Sequence, residues 1–217
     1  MVWKISPSFA EWITHQQNPL QKYLSSSTII ELGCGVSGIV ALAMSPYVRH
    51  YLATDQAYVR RLFLENVAEN IHVNKNANKG RGGAKNTTTK SDNVTFTPLD
   101  WESDIPSSSL KKSTTTSSND QDDPGFDMLV SCDCIYNESL TKPFLSTCAE
   151  ICRLRSNNNR PTICLIAQRL RSPDVFETWL REALHDFGFR VYRIKDCVLP
   201  DSLRDGSGSV VHLMVLA

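Results

Sequence analysis

The chain lacks a charge imbalance: 23 acidic and 23 basic residues cancel. No overall field draws it to polyanions, so direct nucleic-acid binding is not expected outside a local basic patch. Long apolar runs are also missing. None approaches the ~18 to 20 residues that cross a bilayer, so no membrane partner is expected. The seven cysteines form no metal pattern, since Cys132-x-Cys134 and Cys148-xxx-Cys152 lack the C-x-x-C and histidine spacing of a zinc site. Odd in number, scattered and without a secretory leader, they read as free thiols in the cytoplasm, or in the nucleus as well. No metal is expected. His15, His50, His72, His185 and His212 are dispersed, with no partner at catalytic spacing.

What is present is concentrated in Thr28 to Gly38, TIIELGCGVSG, followed by Ala53-Thr54-Asp55. An apolar run, a glycine-rich turn and an acid one strand later form the arrangement by which α/β sheets hold adenosine-bearing cofactors. Glycines let backbone approach the ligand, and the acid accepts hydrogen bonds from ribose hydroxyls. Gly33, Gly35 and Gly38 spell the dinucleotide pattern G-x-G-x-x-G, with Asp55 near the expected ~20-residue distance. Glu31 also gives E-x-G-x-G, which resembles the first motif of S-adenosylmethionine-dependent methyltransferases of the seven-strand type. From this segment alone both cofactors remain open.

At 217 residues the chain suits a single α/β domain over 1–217. Ser6-Pro7 reads as a helix cap and first residue, with Phe9, Trp12 and Ile13 on one face. Strands are expected at Thr28 to Leu32, Tyr51 to Thr54, Val94 to Thr97, Phe126 to Ser131 and Thr162 to Ala167. Helices are expected at Gly38 to Met44, Tyr58 to Val73 with Leu62, Val67 and Ile71 inward, Lys142 to Leu154, and Pro173 to Phe187. Their alternation predicts a mostly parallel sheet covered on both faces. Arg190 to Val198 and Val210 to Leu216 have no helix between them and must pair antiparallel. A terminal hairpin of this kind favours the methyltransferase arrangement over a dinucleotide domain. Two polar stretches, 76–93 and 106–123, lack apolar periodicity and are expected to be disordered insertions.

Leu99-Asp100-Trp101 and Cys132-Asp133-Cys134-Ile135-Tyr136 follow expected strands, at the ends where open α/β sheets bind ligands. Together with Gln168-Arg169 and Val2-Trp3-Lys4 they resemble the protein-lysine branch of seven-strand methyltransferases, methyltransferase family 16, and within it the fungal ribosomal lysine methyltransferase 5 group. The resemblance covers the chain outside the two polar stretches. It implies a Rossmann-like seven-stranded fold, S-adenosylmethionine as cofactor, and a protein lysine as acceptor, on a ribosomal or other translation-related protein such as one of the large subunit.

Matched residue by residue, the resemblance implies that Trp3 and Trp101 border the cofactor and that Asp100 accepts from the adenine amine. Gly33 and Gly35 approach the methionyl portion, Glu31 and Cys34 of the same motif join the cofactor-binding set, Asp55 holds the ribose, and Cys132 lines the wall. Asp133 and Tyr136 are the candidate catalytic pair. Methyl transfer to an amine needs alignment and a neutral nitrogen. At pKa ~10.4 a free lysine is almost wholly protonated at neutral pH, so the acid orients the incoming ammonium while the tyrosine shapes the channel. Arg169 reads as a structural residue, an anchor for the acceptor-side loop or the partner of an acid. Relatives carry further β structure before the residue matched by Trp3, and here the chain begins two residues earlier. The rival readings are an NAD(P)-dependent oxidoreductase and a noncatalytic cofactor-binding scaffold, and an acid at 133 also suits arginine or histidine acceptors.

Overall fold

Seven short apolar stretches become the strands of one sheet in the computed structural model, which describes residues 4–77, 93–112, 125–155 and 160–217. They are β1 (Thr28–Leu32), β2 (His50–Asp55), β3 (Val94–Pro98), β4 (Met128–Cys132), β5 (Ile163–Arg169), β6 (Phe189–Arg193) and β7 (Ser209–Leu216), arranged in space as β3-β2-β1-β4-β5-β7-β6. The first five are parallel, and β7 runs antiparallel to both β5 and β6. This is the expected Rossmann-like fold with its terminal antiparallel hairpin. The helices are α1 (Ile5–Thr14), α2 (Gln21–Leu24), α3 (Ile39–Met44), α4 (Arg60–Ala77), α5 (Ser109–Lys112), α6 (Thr141–Arg153) and α7 (Pro173–Arg181).

Every residue of β1 and β4 is buried, as strands covered on both faces must be. Side chains alternate between two cores. Ile29, Tyr51 and Val130 meet α1, α3 and α4 on one face, while Ile30, Leu52 and Leu129 meet α6 and α7 on the other. Outermost β3 is only partly buried and ends in Pro98, which an edge strand tolerates. The chain reverses its direction across the sheet between β1 and β4, the switch point beside which such sheets bind ligands.

Several local expectations need correction. Helix α1 begins at Ile5 with Lys4 at its cap, so Ser6 and Pro7 lie inside the first turn and Ser6 caps nothing. Leu62 is exposed, and the inward positions are Val59, Phe63 and Val67. A 3-10 turn over Ala57–Val59 sets that phase, and the side chain of Ile71 is outside the description. The expected helix from Pro173 to Phe187 divides into α7 and a π-helical turn at Glu182–Asp186. Strand β6 stops at Arg193, and 3-10 turns at Asp196–Val198 and Asp201–Leu203 carry the chain to β7.

Of the polar stretches, 78–92 and 113–124 lie outside the described residues, and their flanks are structured. Helix α4 continues to Ala77. Buried Asn93 donates its amide to the carbonyls of Ser45 and Val48 at 2.9 and 3.0 Å. Pro106 is buried, and α5 buries Leu110.

Candidate active site

The glycine turn after β1 is held by its neighbour β2. The Gly33 and Cys34 N–H groups both donate to the Thr54 carbonyl, at 2.9 and 3.1 Å, and the Gly35 N–H donates to Asp55 Oδ2 at 2.8 Å. Asp55 Oδ1 accepts from the Gln56 N–H at 2.7 Å. All three glycines have positive φ. They differ in what a side chain would meet. A Cβ on Gly33 would stand 2.3 Å from Cys134 Sγ and one on Gly38 2.8 Å from Val67, whereas one on Gly35 meets nothing within 4 Å. Gly38 therefore lets α3 pack on α4, and Gly35 faces open space.

That space is a cavity of about 280 Å³ at the carboxyl ends of β1, β2 and β4. Seven of the sequence-derived candidates for cofactor contact, Glu31, Gly33, Cys34, Gly35, Asp55, Trp101 and Cys132, line it together with Asp133 and Tyr136. Asp100 does not; the Gln56 side chain first, and the Glu102 N–H at 3.0 Å second, stabilise its carboxylate and lower its pKa. Trp3 lies outside the described residues. A larger hollow of about 390 Å³, between the end of α1 and residues 197–200, gathers none of these candidates.

Glu31 is buried at the cavity floor, where the Tyr51 hydroxyl donates to its Oε2 at 2.9 Å. Burial pushes its pKa up to about 8 from 4.5, against the Tyr51 hydrogen bond and with Asp55 adding repulsion. The folded protein therefore holds a proton there that the unfolded chain releases, and stability falls as pH rises from about 4.5 to about 8. Glu31→Gln should remove this loss, a few kcal/mol in order of magnitude. Melting of the cofactor-free protein at about pH 5 and about pH 9 checks it: the variant's two temperatures should converge, and a drop equal to the wild type's would contradict the assignment.

Sulfur forms much of the remaining floor. Cys34, Cys132 and Cys134 are buried free thiols. Burial raises the pKa of all three, that of Cys134 to about 12, so they stay protonated. Cys134 Sγ donates to the Leu32 carbonyl at 3.4 Å, directly beneath Gly33. Trp101 closes the next wall with its ring edge-on to Phe144 at 5.2 Å.

Asp133 takes a left-handed backbone conformation, φ 66°, the sole such residue besides glycine among those described. Its N–H donates to the Ala167 carbonyl at 2.7 Å. Its carboxylate is buried, accepting from the Arg169 N–H at 3.3 Å and from Arg171 Nη2 at 2.5 Å. Arg169 thus meets the acid through its backbone, and Arg171, absent from the sequence reading, supplies the guanidinium. Tyr136 is 57 % exposed and Tyr58, also unforeseen, 81 %. Both line the cavity, and burial is the main cause of a raised Tyr136 pKa. Ser6, read as a cap, is instead buried and lines the cavity.

Known proteins share this architecture. The methyltransferase domain of bacterial CtHen1 superposes with a TM-score of 0.56 over 95 % of this chain and 98 % of that one, at 12 % identity, a likeness of fold alone. Ribosomal lysine N-methyltransferase 5 of Candida glabrata is 26 % identical over 235 residues, 90 % of this chain and 66 % of the relative. The enzyme of that name from Vanderwaltozyma polyspora is 27 % identical over 232 residues, 93 % of this chain and 71 % of the relative. The chain therefore spans about two thirds of the length of these relatives. A family model described as lysine methyltransferase matches residues 1–183. With that match over most of its length, the chain belongs to the lysine methyltransferase family.

Proposed function

We propose that the protein transfers a methyl group from S-adenosylmethionine to a lysine side chain of a ribosomal protein, one of the large subunit. The observation that carries the cofactor choice is the charge of the cavity. Among the described residues its lining holds the carboxylates of Asp55 and Asp133, a Glu31 that burial keeps protonated near neutral pH, and neither lysine nor arginine. A dinucleotide pyrophosphate would meet repulsion there, whereas a sulfonium and an ammonium meet opposite charge. The turn's donors argue the same way. Phosphate-binding turns aim backbone N–H groups at the ligand, but those of Gly33, Cys34 and Gly35 are spent on Thr54 and Asp55.

The residues fit the cofactor. Open space beside Gly35 admits its methionyl portion against bare backbone, with Glu31 below it. Asp55 keeps acceptor capacity for ribose hydroxyls, and Trp101 offers a flat apolar wall. When bound, S-adenosylmethionine supplies an electrophilic methyl on sulfur. Asp133 and Tyr136 then orient the acceptor nitrogen, the exposed rings of Tyr58 and Tyr136 flank its methylene stem, and its proton leaves to water. No helix among the described residues is long and apolar enough to cross a membrane. The relatives named for ribosomal lysine methylation support a ribosomal acceptor and hence the cytoplasm.

The test is incubation with methyl-deuterated S-adenosylmethionine and unmethylated ribosomal subunits, read by peptide mass spectrometry. Labelled lysine is expected, and no labelled peptide would overturn the reading. Asp55→Ala should weaken S-adenosylhomocysteine binding by about ten- to a hundredfold in calorimetry, the loss of one or two hydrogen bonds. Unchanged affinity would remove Asp55 from the site.

A further inference from the structure

The carboxylate assigned to the acceptor is already committed to a cation. The Asp133 side chain has no exposed surface, and its Oδ2 pairs with Arg171 Nη2, whose side chain is 36 % exposed on the segment between β5 and α7. Its other oxygen faces the Arg169 N–H. This pairing bears on a conflict within the proposed reaction. A bare carboxylate beside a lysine favours the ammonium form, and an ammonium has no electron pair with which to attack.

We propose that Arg171 is a positioning residue that neutralises Asp133, so that the carboxylate orients the acceptor nitrogen without holding it protonated. The proposal rests on the methyltransferase reading. The other ionisable groups around Asp133 do not perform this task. From β1 comes Glu31, from β2 and its following turn Asp55 and Tyr58, and from the end of β4 Cys132, Cys134 and Tyr136. Each is acidic or neutral, and Arg169 of β5 meets Asp133 through its backbone N–H while its guanidinium lies beside Gly208. Glu31 is itself held protonated at neutral pH by burial. Arg171 is not among the residues that line the cavity, so it compensates Asp133 from outside the cavity. In the transfer the nitrogen lone pair forms the new N–C bond, the S–C bond breaks with its electrons left on sulfur, and the proton lost from the ammonium goes to water.

Arg171→Gln should move the pH dependence of transfer to higher pH, because the acceptor then faces an uncompensated acid. A unit charge this close, at an effective dielectric near 20, shifts a titration by about one to two units. The experiment is single-turnover transfer to ribosomal subunits from about pH 6 to about pH 10 by wild type, Arg171→Gln and Arg171→Lys. S-adenosylhomocysteine affinity and melting temperature are measured alongside. The expected result is a Gln variant slowed about ten- to a hundredfold near neutrality that recovers at alkaline pH, with unchanged cofactor affinity, and a Lys variant that keeps the wild-type profile. A Gln variant slowed equally at every pH, or Gln and Lys variants that both melt early and lose activity together, would overturn the proposal. Transfer by the wild type with an unmoved Gln profile removes this inference alone; no transfer by the wild type removes the methyltransferase reading with it.

Discussion

Asp133→Asn is expected to lower methyl transfer to the proposed ribosomal acceptor by about a hundredfold or more while leaving S-adenosylhomocysteine affinity within about a factor of two. Asparagine is the informative replacement because of the backbone. At φ 66°, alanine would add left-handed strain, whereas asparagine adopts this region readily. The Asp133 N–H bond to Ala167 does not depend on the side chain and should survive. What changes is charge: the acceptor loses its anionic partner, and the Arg171 guanidinium is left to repel an arriving ammonium. Calorimetry and a transfer assay separate the two effects. Retained activity would reduce Asp133 to a structural link between the loops that follow β4 and β5.

Gly33→Ala is expected to be the most destabilising single-methyl change in the site. The new Cβ would stand 2.3 Å from Cys134 Sγ and 3.3 Å from the Trp101 ring. Left-handed backbone costs roughly 1–2 kcal/mol more for alanine, and overpacking adds about 1–3 kcal/mol. For a domain of this size the melting temperature should fall by about 10 °C, and cofactor binding should be lost as Trp101 is displaced. Gly35→Ala carries the strain without the collision, because nothing lies within 4 Å of its Cβ. It should melt only a few degrees early yet bind cofactor as poorly. Equal melting temperatures for the two variants would show that Cys134 yields freely. Cys134→Ala combined with Gly33→Ala should recover part of the loss, the part owed to the sulfur.

The sequence carried the layers of this fold more clearly than its joints. Apolar runs such as Thr28–Leu32 and Met128–Cys132 announce buried strands because parallel strands bury both faces. The missing helix before β7 announces an antiparallel pair. Phase and boundary are less visible. Ser6-Pro7 fits a cap and also the inside of a first turn, and in the structure the helix starts at Ile5 with Ser6 buried. Leu62 and Phe63 are both apolar, and only the 3-10 turn before α4 sets which one points inward. Most of the proposed cofactor wall was legible because those residues are contiguous in short motifs after strands. Arg171 was not, since its contact with Asp133 joins positions 38 apart through strand order. Cys134 sits beneath Gly33 for the same kind of reason, β1 being paired with β4.

The place of β7 also governs the order in which the molecule can assemble. Residues 209–216 fill the position between β5 and β6, although both partners precede them in the chain. A chain emerging from its N-terminus therefore presents β5 as an open edge and β6 as an orphan until β7 arrives. Pairings that join distant segments close slowly, and unpaired edges seek partners on other chains. Truncation within residues 209–216 should consequently produce aggregation during synthesis, even though the cavity residues lie earlier in the chain.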